Sequence, residues 1–345
     1  MNKQLVSILK YVGSLVIAGV LLYFAFRNID WGDFVEKAKS VDYTWVLISI
    51  FLSLIAYIAR AYRWNILLKP LGHENLSSWR TTLAVLVGYL ANLAFPRLGE
   101  ITRCGVLNRS DDVPVSSGLG TVITERIIDV LTLFVLIFFT LIVEADRLIL
   151  FLKELFGVSD EGVIGASVGT EFYKKIGIGL FVLLILIAIL IFLARRAGDK
   201  VKNFVKELYQ GLISLRKIDN LSGFIISTLV LWVVYYLMSY LILFSLPETS
   251  DLGLMVGVML LVTGGIALAI PVQGGFGTYH TLISAMLSLY AVEKTTGVFL
   301  ATLLHTSQVV AVAIFGGAAL LISLFANRSK QGKDSKVLAK ATTEG

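Results

Sequence analysis

Long apolar runs, each of about twenty residues, restrict the possible folds of this chain more than any other feature. A helix that crosses hydrocarbon needs about 20 mostly apolar residues, because its backbone polar groups can bond there only to each other. A run at 297–325 is long enough to tilt or to extend past the bilayer. Five more meet the requirement: 8–26, 45–66, 127–144, 174–194 and 221–246. The sequence therefore predicts an all-α polytopic membrane protein.

The composition agrees with a membrane protein and excludes several other classes. The 345 residues are 57% hydrophobic and 16% charged, against about 45–50% and about 25% in globular domains. The single cysteine, Cys104, excludes an intrachain disulfide, and three scattered histidines show no ligand spacing, so we expect no metal and no cofactor. The net charge of +6 is concentrated in segments between helices, which is typical of membrane orientation, so no nucleic-acid partner is expected.

Three weaker apolar segments indicate interrupted helices. The segment 80–95 ends at Pro96, 253–270 ends at Pro271, and 276–291 follows a glycine cluster. Non-helical backbone is tolerated at membrane depth only where it is buried in protein or faces a watery cavity. We predict about six full crossings plus two re-entrant or broken hairpins, about eight hydrophobic segments in all, although each weak stretch could instead be a pair of crossings.

The distribution of lysine and arginine predicts the orientation. The segment 195–220 and the tail after Phe325 are rich in basic residues, whereas 145–173 and 247–252 are poor in them. Basic segments stay in the cytoplasm, so both termini are predicted to be cytoplasmic. Residues 1–327 then form a single membrane domain, followed by a disordered cytoplasmic tail at 328–345.

A short motif suggests an inverted repeat. Leu-Ala-x-Pro-x-x-Gly at 93–99 recurs at 268–274, and the same offset aligns 45–66 with 221–246. Halves of 1–170 and 171–327 would each hold three crossings and one hairpin, and an odd number of crossings reverses the topology. Inverted repeats with interrupted helices in matching positions are typical of transporters.

Charged residues directly after the segment 80–95 form the first candidate site. Arg97, Glu100 and Arg103 are spaced three residues apart, so on a helix Glu100 would lie between two cations. A charge at mid-membrane costs about 2.5–3.5 kcal/mol. Pairing leaves one positive charge, which would suit a phosphate, since guanidinium binds phosphate in a bidentate manner. The alternative is an interfacial loop with ordinary surface charges.

Two further charged motifs lie at helix ends. Glu125, Arg126 and Asp129 open the helix at 127–144, where Arg126 can pair with Asp129, although a plain juxtamembrane helix start is the alternative. The motif Arg-x-x-Arg-Trp at 60–64 ends the second helix, where basic residues and tryptophan are common membrane-boundary anchors. Arg63 is nevertheless a candidate phosphate ligand.

The glycine cluster at 271–277 forms the second candidate site. Its glycines permit positive φ and close backbone approach, and a helix that starts after them would direct free N–H groups at an anion. A tight turn between packed helices is the alternative. The candidate lipid-binding glycines are Gly274, Gly275 and Gly277. The polar groups that could line a cavity or couple an ion here are His280, His305 and Gln308.

Four motifs in this order resemble the flippase-like transmembrane region of lysylphosphatidylglycerol synthases, which also occurs as stand-alone membrane proteins. They are Arg-x-x-Arg-Trp at 60–64, Pro-Arg-x-Gly-Glu-x-x-Arg at 96–103, Glu-Arg-x-x-Asp at 125–129 and Pro-x-x-Gly-Gly-x-Gly at 271–277. The resemblance extends over about 8–325. Gln273, His280 and His305 stand where members of this family often carry proline, glutamate and arginine. Only a short tail follows Phe325, so lysine transfer to lipid is not expected.

The resemblance implies an integral protein of a bacterial or archaeal plasma membrane that acts on membrane lipids. We expect it to translocate an anionic phospholipid or a polyprenyl-phosphate-type lipid rather than to be an enzyme, and a homo-oligomer is left open. A membrane glycosyl or headgroup transferase that uses a lipid-linked substrate is the first alternative. A small-solute transporter is the second.

Overall fold

The computed structural model describes residues 3–95, 97–144, 147, 218–270 and 272–343, with side chains described only within 15–325. All regular structure in these ranges is helical, which confirms the all-α class. The predicted crossing at 174–194 and the segments on either side of it lie outside the described residues. The longer helices are α1 (Lys3–Phe26), α2 (Trp31–Ser40), α3 (Tyr43–Leu68), α4 (Ser78–Ala94), α5 (Leu98–Asp111), α6 (Val115–Val143), α7 (Leu221–Leu241), α8 (Leu254–Ala269), α9 (Thr278–Ser288) and α10 (Lys294–Thr343).

Within the described part of the chain, four helical stretches are long and apolar enough to cross a membrane. A fifth is possible if α1 and α2, which meet at a 90° bend, are counted as one broken span. The helix α8 is apolar but has only 16 residues. The four stretches are Tyr43–Leu71, Val115–Val143, Leu221–Ser245 and Lys294–Phe325.

Side-chain caps fix where several of these helices begin. The carboxylate of Asp30 accepts hydrogen bonds from the backbone N–H groups of Gly32 and Asp33 at the start of α2, at 2.8 and 3.1 Å. Asp42 caps α3 in the same way through Thr44, at 3.0 Å. Such caps satisfy N–H groups that have no partner within the helix.

The weak apolar segments form two helical hairpins. The first hairpin consists of α4 and α5, which pack on each other on either side of a turn at 95–97. The second hairpin consists of α8 and α9, on either side of the glycine turn at 270–277. Each hairpin stands between two long helices, so α3–α6 and α7–α10 have the same order of elements. This order fits an inverted repeat, whose boundaries stay a prediction.

The two hairpins enter the bundle from opposite ends, because α3 and α7 are antiparallel. Ser49 donates a hydrogen bond to the carbonyl of Met238 near the end of α7, whereas Tyr62, further along α3, accepts one from Asn220 at its start. The first hairpin follows the end of α3 and the second follows the end of α7. The turn of the second hairpin reaches α4, and α10 packs against both hairpins.

The helix α10 continues to Thr343, over the part of the chain for which the composition predicts disorder. The tail is rich in lysine and alanine and contains no proline, so its residues do not oppose helix formation. The predicted domain boundary at 327 stays a prediction.

Replacing Glu248 with glutamine tests the attachment of α2. Lys37 donates a hydrogen bond of 2.5 Å to Glu248, which holds the pKa of that carboxyl below its ordinary value. A lowered pKa stabilises the fold above the ordinary value of about 4.3 and loses its effect as the pH falls through the lowered value. The side chain of Glu248 is half exposed although that of Lys37 is buried, so we expect Glu248→Gln to cost under about 1 kcal/mol at pH 7.

The measurement is the thermal midpoint of the detergent-solubilised protein at pH 7 and at pH 3. The gap between wild type and Glu248→Gln should be present at pH 7 and should shrink at pH 3. An equal gap at both values would show that the ion pair does not cause it.

Candidate functional site

Three arginines from two helices converge on one buried carboxylate. Arg60 and Arg63 on α3 both contact Oε1 of Glu125 on α6, the latter at 3.2 Å, and Arg103 on α5 contacts Oε2 at 3.1 Å. The side chain of Glu125 is fully buried. A buried carboxylate stays charged only where such partners compensate its lost hydration, so Glu125 holds α3, α5 and α6 together.

Asp129 and Tyr235 complete this group. One turn after Glu125, Asp129 pairs with Arg63 at 2.7 Å and with Arg60 at 3.3 Å. The hydroxyl of Tyr235 on α7 accepts a hydrogen bond of 3.0 Å from Arg60. We refer to Arg60, Arg63, Arg103, Glu125, Asp129 and Tyr235 as the buried ion network.

The motif at 60–64 lies in the protein interior and not at the lipid headgroups, which corrects the anchor interpretation. Arg63 and Trp64 are fully buried. The guanidinium of Arg103 lies 4.6 Å from the ring centroid of Trp64, and the indole N–H of Trp64 donates to Thr121 at 2.8 Å. The ring of Trp64 therefore packs against the network through a cation–π contact with Arg103.

Two ion pairs expected within single helices are formed between helices. Glu100 pairs with Arg126 on α6 at 3.0 Å, so it does not bridge Arg97 and Arg103 as the ladder predicted. Arg126 consequently does not form an ion pair with Asp129, which belongs to the buried ion network. The reason is that α5 and α6 pack side by side, and partners across that interface are closer than partners along one helix.

Arg97 occupies the tip of the first hairpin. Its backbone is left-handed, with φ of 64°, directly before the first turn of α5. Its side chain is exposed and forms no ion pair with any residue that the structure describes. Arginine rarely adopts this conformation, so the turn at 95–97 stores backbone strain at the tip.

Two glycines bring the backbones of the first hairpin into contact. A Cβ added to Gly88 on α4 would lie 2.8 Å from the carbonyl oxygen of Gly99 on α5, and a Cβ on Gly99 would overlap the carbonyl of Gly88. The amide of Asn92 accepts a hydrogen bond of 2.7 Å from the backbone N–H of Gly99. The hairpin is therefore a tight unit that carries Arg97, Glu100 and Arg103 together.

A narrow cleft of about 10 Å³, close to the space that one water molecule needs, opens beside the network. Its walls include Tyr89 and Asn92 on α4 and the ion-paired side chains Glu100, Arg103 and Arg126. The network and the Glu100–Arg126 pair hold four arginines against three carboxylates, which leaves one positive charge. Two atoms of side chains that line the cleft are buried without a hydrogen-bond partner among the described residues, the donor Nε of Arg60 and the acceptor Oε2 of Glu100. The free buried donor and the surplus positive charge together favour an anion.

The glycine turn of the second hairpin forms a separate, tightly packed group. The carbonyl of Gly274 bonds to Nε2 of His305 on α10 at 2.8 Å. His280 and His305 lie edge to face, with ring centroids 5.2 Å apart, and Phe276 contacts both rings. Gln308 donates to Ser49 on α3 at 3.3 Å. These contacts give the turn a packing function, and its contact with lipid stays a prediction.

Positive φ angles at all three candidate glycines explain why the turn needs glycine. At Gly277, with φ of 84°, a Cβ would also lie 2.9 Å from the backbone nitrogen of Leu22 and 3.0 Å from the carbonyl oxygen of Ala18. The turn therefore rests directly on the backbone of α1.

The structure brings six of the predicted site residues together and adds two. Arg60 and Tyr235 were not among the predicted site residues. The position of Arg60, one turn before Arg63 and on the same helical face, was the available signal. No feature of the sequence indicated that Tyr235 belongs to the site. The residues brought together are Arg63, Glu100, Arg103, Glu125, Arg126 and Asp129.

The fold and the site define an integral membrane protein with two helical hairpins and a buried network of arginines and carboxylates. The chain belongs to the lysylphosphatidylglycerol synthase TM region family, whose sequence profile matches residues 11–316. The resemblance carried by the four motifs is thereby confirmed.

Two curated relatives are similar to the chain. Glycosyltransferase AglD of Haloferax volcanii is 24% identical over an alignment of 349 positions. This alignment includes 91% of this chain and 54% of that protein. A UPF0104 membrane protein of Methanocaldococcus jannaschii is 24% identical over 140 residues, or 40% of this chain and 39% of that protein. The chain thus spans about half the length of the first relative and less of the second.

Proposed function

We propose that the protein moves a lipid with a phosphate in its headgroup between the two leaflets of the membrane. The observation that carries this proposal is the surplus of one positive charge in the buried ion network and the Glu100–Arg126 pair taken together. An anionic phospholipid or a polyprenyl phosphate offers both the charge to balance it and hydrocarbon chains that can remain in the bilayer. The substrate is then a membrane lipid, and no ATP-binding motif is needed for passive movement.

Access of the phosphate begins at Arg97. This arginine is exposed at the tip of the first hairpin, whereas Arg63 is fully buried and Arg103 nearly so. A phosphate that meets Arg97 first can pass to Arg103, because both belong to α5 and its preceding turn. Arginine binds phosphate through two parallel N–H groups, so each transfer keeps the anion paired.

Glu125 acts as an internal substitute for the phosphate. Its two oxygens already receive the three guanidiniums in the geometry that a phosphate oxygen pair would use. When the lipid phosphate takes Arg103, Glu125 remains paired with Arg60 and Arg63, so no buried charge is left alone. Replacing one anionic partner of a buried arginine with another costs less free energy than leaving that arginine unpaired.

The location and orientation belong to the same proposal. The basic segments between helices favour cytoplasmic termini, and the family of the chain favours a bacterial or archaeal plasma membrane. The first hairpin would then enter from the cytoplasmic side and the second from the opposite side, which places Arg97 deeper in the membrane than Arg103. A phosphate that passes from Arg97 to Arg103 would therefore move toward the cytoplasmic side.

The proposal predicts that Arg97→Ala slows lipid movement about tenfold, because the first cation on the path is lost. Arg97→Lys should keep at least half of the wild-type rate, since a lysine still attracts the phosphate. The assay is the movement of a fluorescent phosphatidylglycerol across liposomes that contain the purified protein. Arg109→Ala is the matched control, because Arg109 is an exposed arginine at the far end of the same helix α5.

A wild-type rate equal to that of empty liposomes contradicts transport. An active wild type with an unaffected Arg97→Ala variant contradicts the path through the first hairpin but not transport itself.

A membrane transferase is the second candidate, because the relative that matches 91% of the chain is named a glycosyltransferase. Only about half of that relative is matched, so the named activity can reside in its other part. Formation of a glycosylated product from a labelled lipid-linked sugar by the purified protein would favour the transferase. Uptake of a water-soluble substrate without lipid movement would favour a small-solute transporter.

A further inference from the structure

A second cavity, of about 660 Å³, lies at the other end of α6. It is bounded by the end of α6, the start of α8 and the turn after α9, and its polar side chains are Glu144, Arg147, Asp251 and Tyr290. Residues 252–256 and Leu289 supply an apolar wall. Ligand pockets commonly measure about 300–1,000 Å³ and combine an apolar wall with a few polar groups, as this distal cavity does.

The distal cavity and the buried ion network are about one membrane thickness apart. Glu125 and Glu144 are separated by nineteen positions along α6, which at about 1.5 Å per residue places them about 28 Å apart. The hydrocarbon core of a bilayer is about 30 Å thick. A lipid that leaves the network and crosses the bilayer would therefore reach the depth of the distal cavity.

The charge balance of the distal cavity is opposite to that of the network. Arg147 pairs with Glu144 at 3.0 Å and lies 4.3 Å from the ring centroid of Tyr290. Asp251 is exposed and forms no ion pair with any described residue. Among the described residues, one cation thus stands against two carboxylates, an arrangement that favours a headgroup with hydrogen-bond donors beside its phosphate over a phosphate alone.

We propose that the distal cavity is a second headgroup site, for phospholipids whose headgroup carries hydroxyl or ammonium donors beside the phosphate. This inference rests on the proposed function and names its substrate class. Arg147 meets the phosphate, Asp251 accepts hydrogen bonds from the donors, and the apolar wall contacts the glycerol and the first carbons of the chains. A headgroup without donors leaves Asp251 unsatisfied and is held less well.

The test compares three fluorescent lipids in liposomes that contain the purified protein. Phosphatidylglycerol has two hydroxyl donors, phosphatidylethanolamine has an ammonium donor, and phosphatidylcholine has neither. Wild type should move the first two at least threefold faster than the third. Asp251→Asn should remove most of this preference, because an amide accepts less strongly from donors than a carboxylate does, while movement of phosphatidylcholine stays within twofold of wild type.

Asp219→Asn is the matched control, because Asp219 is also an exposed aspartate but lies at the start of α7, at the other end of the bundle. It should keep the wild-type preference. An active wild type without the preference, or an Asp251→Asn variant that retains it, overturns the distal site alone. A wild type that moves none of the three lipids overturns the proposed function as well.

Discussion

Glu125→Gln is expected to lower the free energy of unfolding of the purified protein by about 3–5 kcal/mol, because it leaves buried cations without their shared partner. Arg60, Arg63 and Arg103 all bond to this one carboxylate. Glutamine has nearly the same volume, so the packing of α3, α5 and α6 is not the cause of the loss. Its amide nitrogen also donates, and it would face guanidinium groups that can only donate.

The thermal midpoint of the detergent-solubilised protein measures this loss. Glu100→Gln is the matched control, since it removes the same charge from a pair in which Glu100 and Arg126 are more exposed, at 21% and 47%. Its effect should be under about 1 kcal/mol. Equal shifts for the two variants would show that burial of Glu125 does not set the cost.

Gly99→Ala is expected to prevent the first hairpin from closing, with a cost of about 3 kcal/mol or more. The added Cβ would overlap the carbonyl of Gly88 and approach the amide of Asn92 to 2.6 Å. Relief requires α4 and α5 to separate, which also breaks the hydrogen bond from the Gly99 N–H to Asn92. Since α5 carries Arg103, separation also weakens the contact of that arginine with Glu125.

The expected result is a large fall in the yield of monodisperse protein and in its thermal midpoint. Gly105→Ala on the same helix is the control, because no atom other than its chain neighbours and the nearby backbone of α5 lies within 4 Å of its Cβ position. Alanine there should stabilise α5 by about 0.5–1 kcal/mol. A Gly99→Ala variant that is as stable as Gly105→Ala would contradict the close approach of the two helices.

Hydropathy and local motifs predicted the helical class and the two interrupted elements, because the apolar length of a helix and the position of a proline are local properties. The helices α4 and α8 end at Ala94 and Ala269, next to the positions at which Pro96 and Pro271 in the sequence predicted an interruption. The crossing at 174–194 stays a prediction, because it lies outside the described residues.

The partners within the site could not be read from spacing along the chain. Arg60 and Glu125 are 65 residues apart, and Arg60 and Tyr235 are 175 apart. Local rules consider only neighbours three or four positions away, so they paired Glu100 with Arg97 and Arg103. The actual partner, Arg126, depends on how α5 lies against α6, which is a property of tertiary packing.

The contact of Gly277 with α1 has a consequence for biogenesis. The surface of α1 that receives the glycine turn, at Ala18, Leu21 and Leu22, leaves the ribosome more than 250 residues before the turn does. At about 5–20 residues per second, that interval is roughly 10–50 s. During this time the surface of α1 that receives the glycine turn stays without that partner, until the last third of the chain is made.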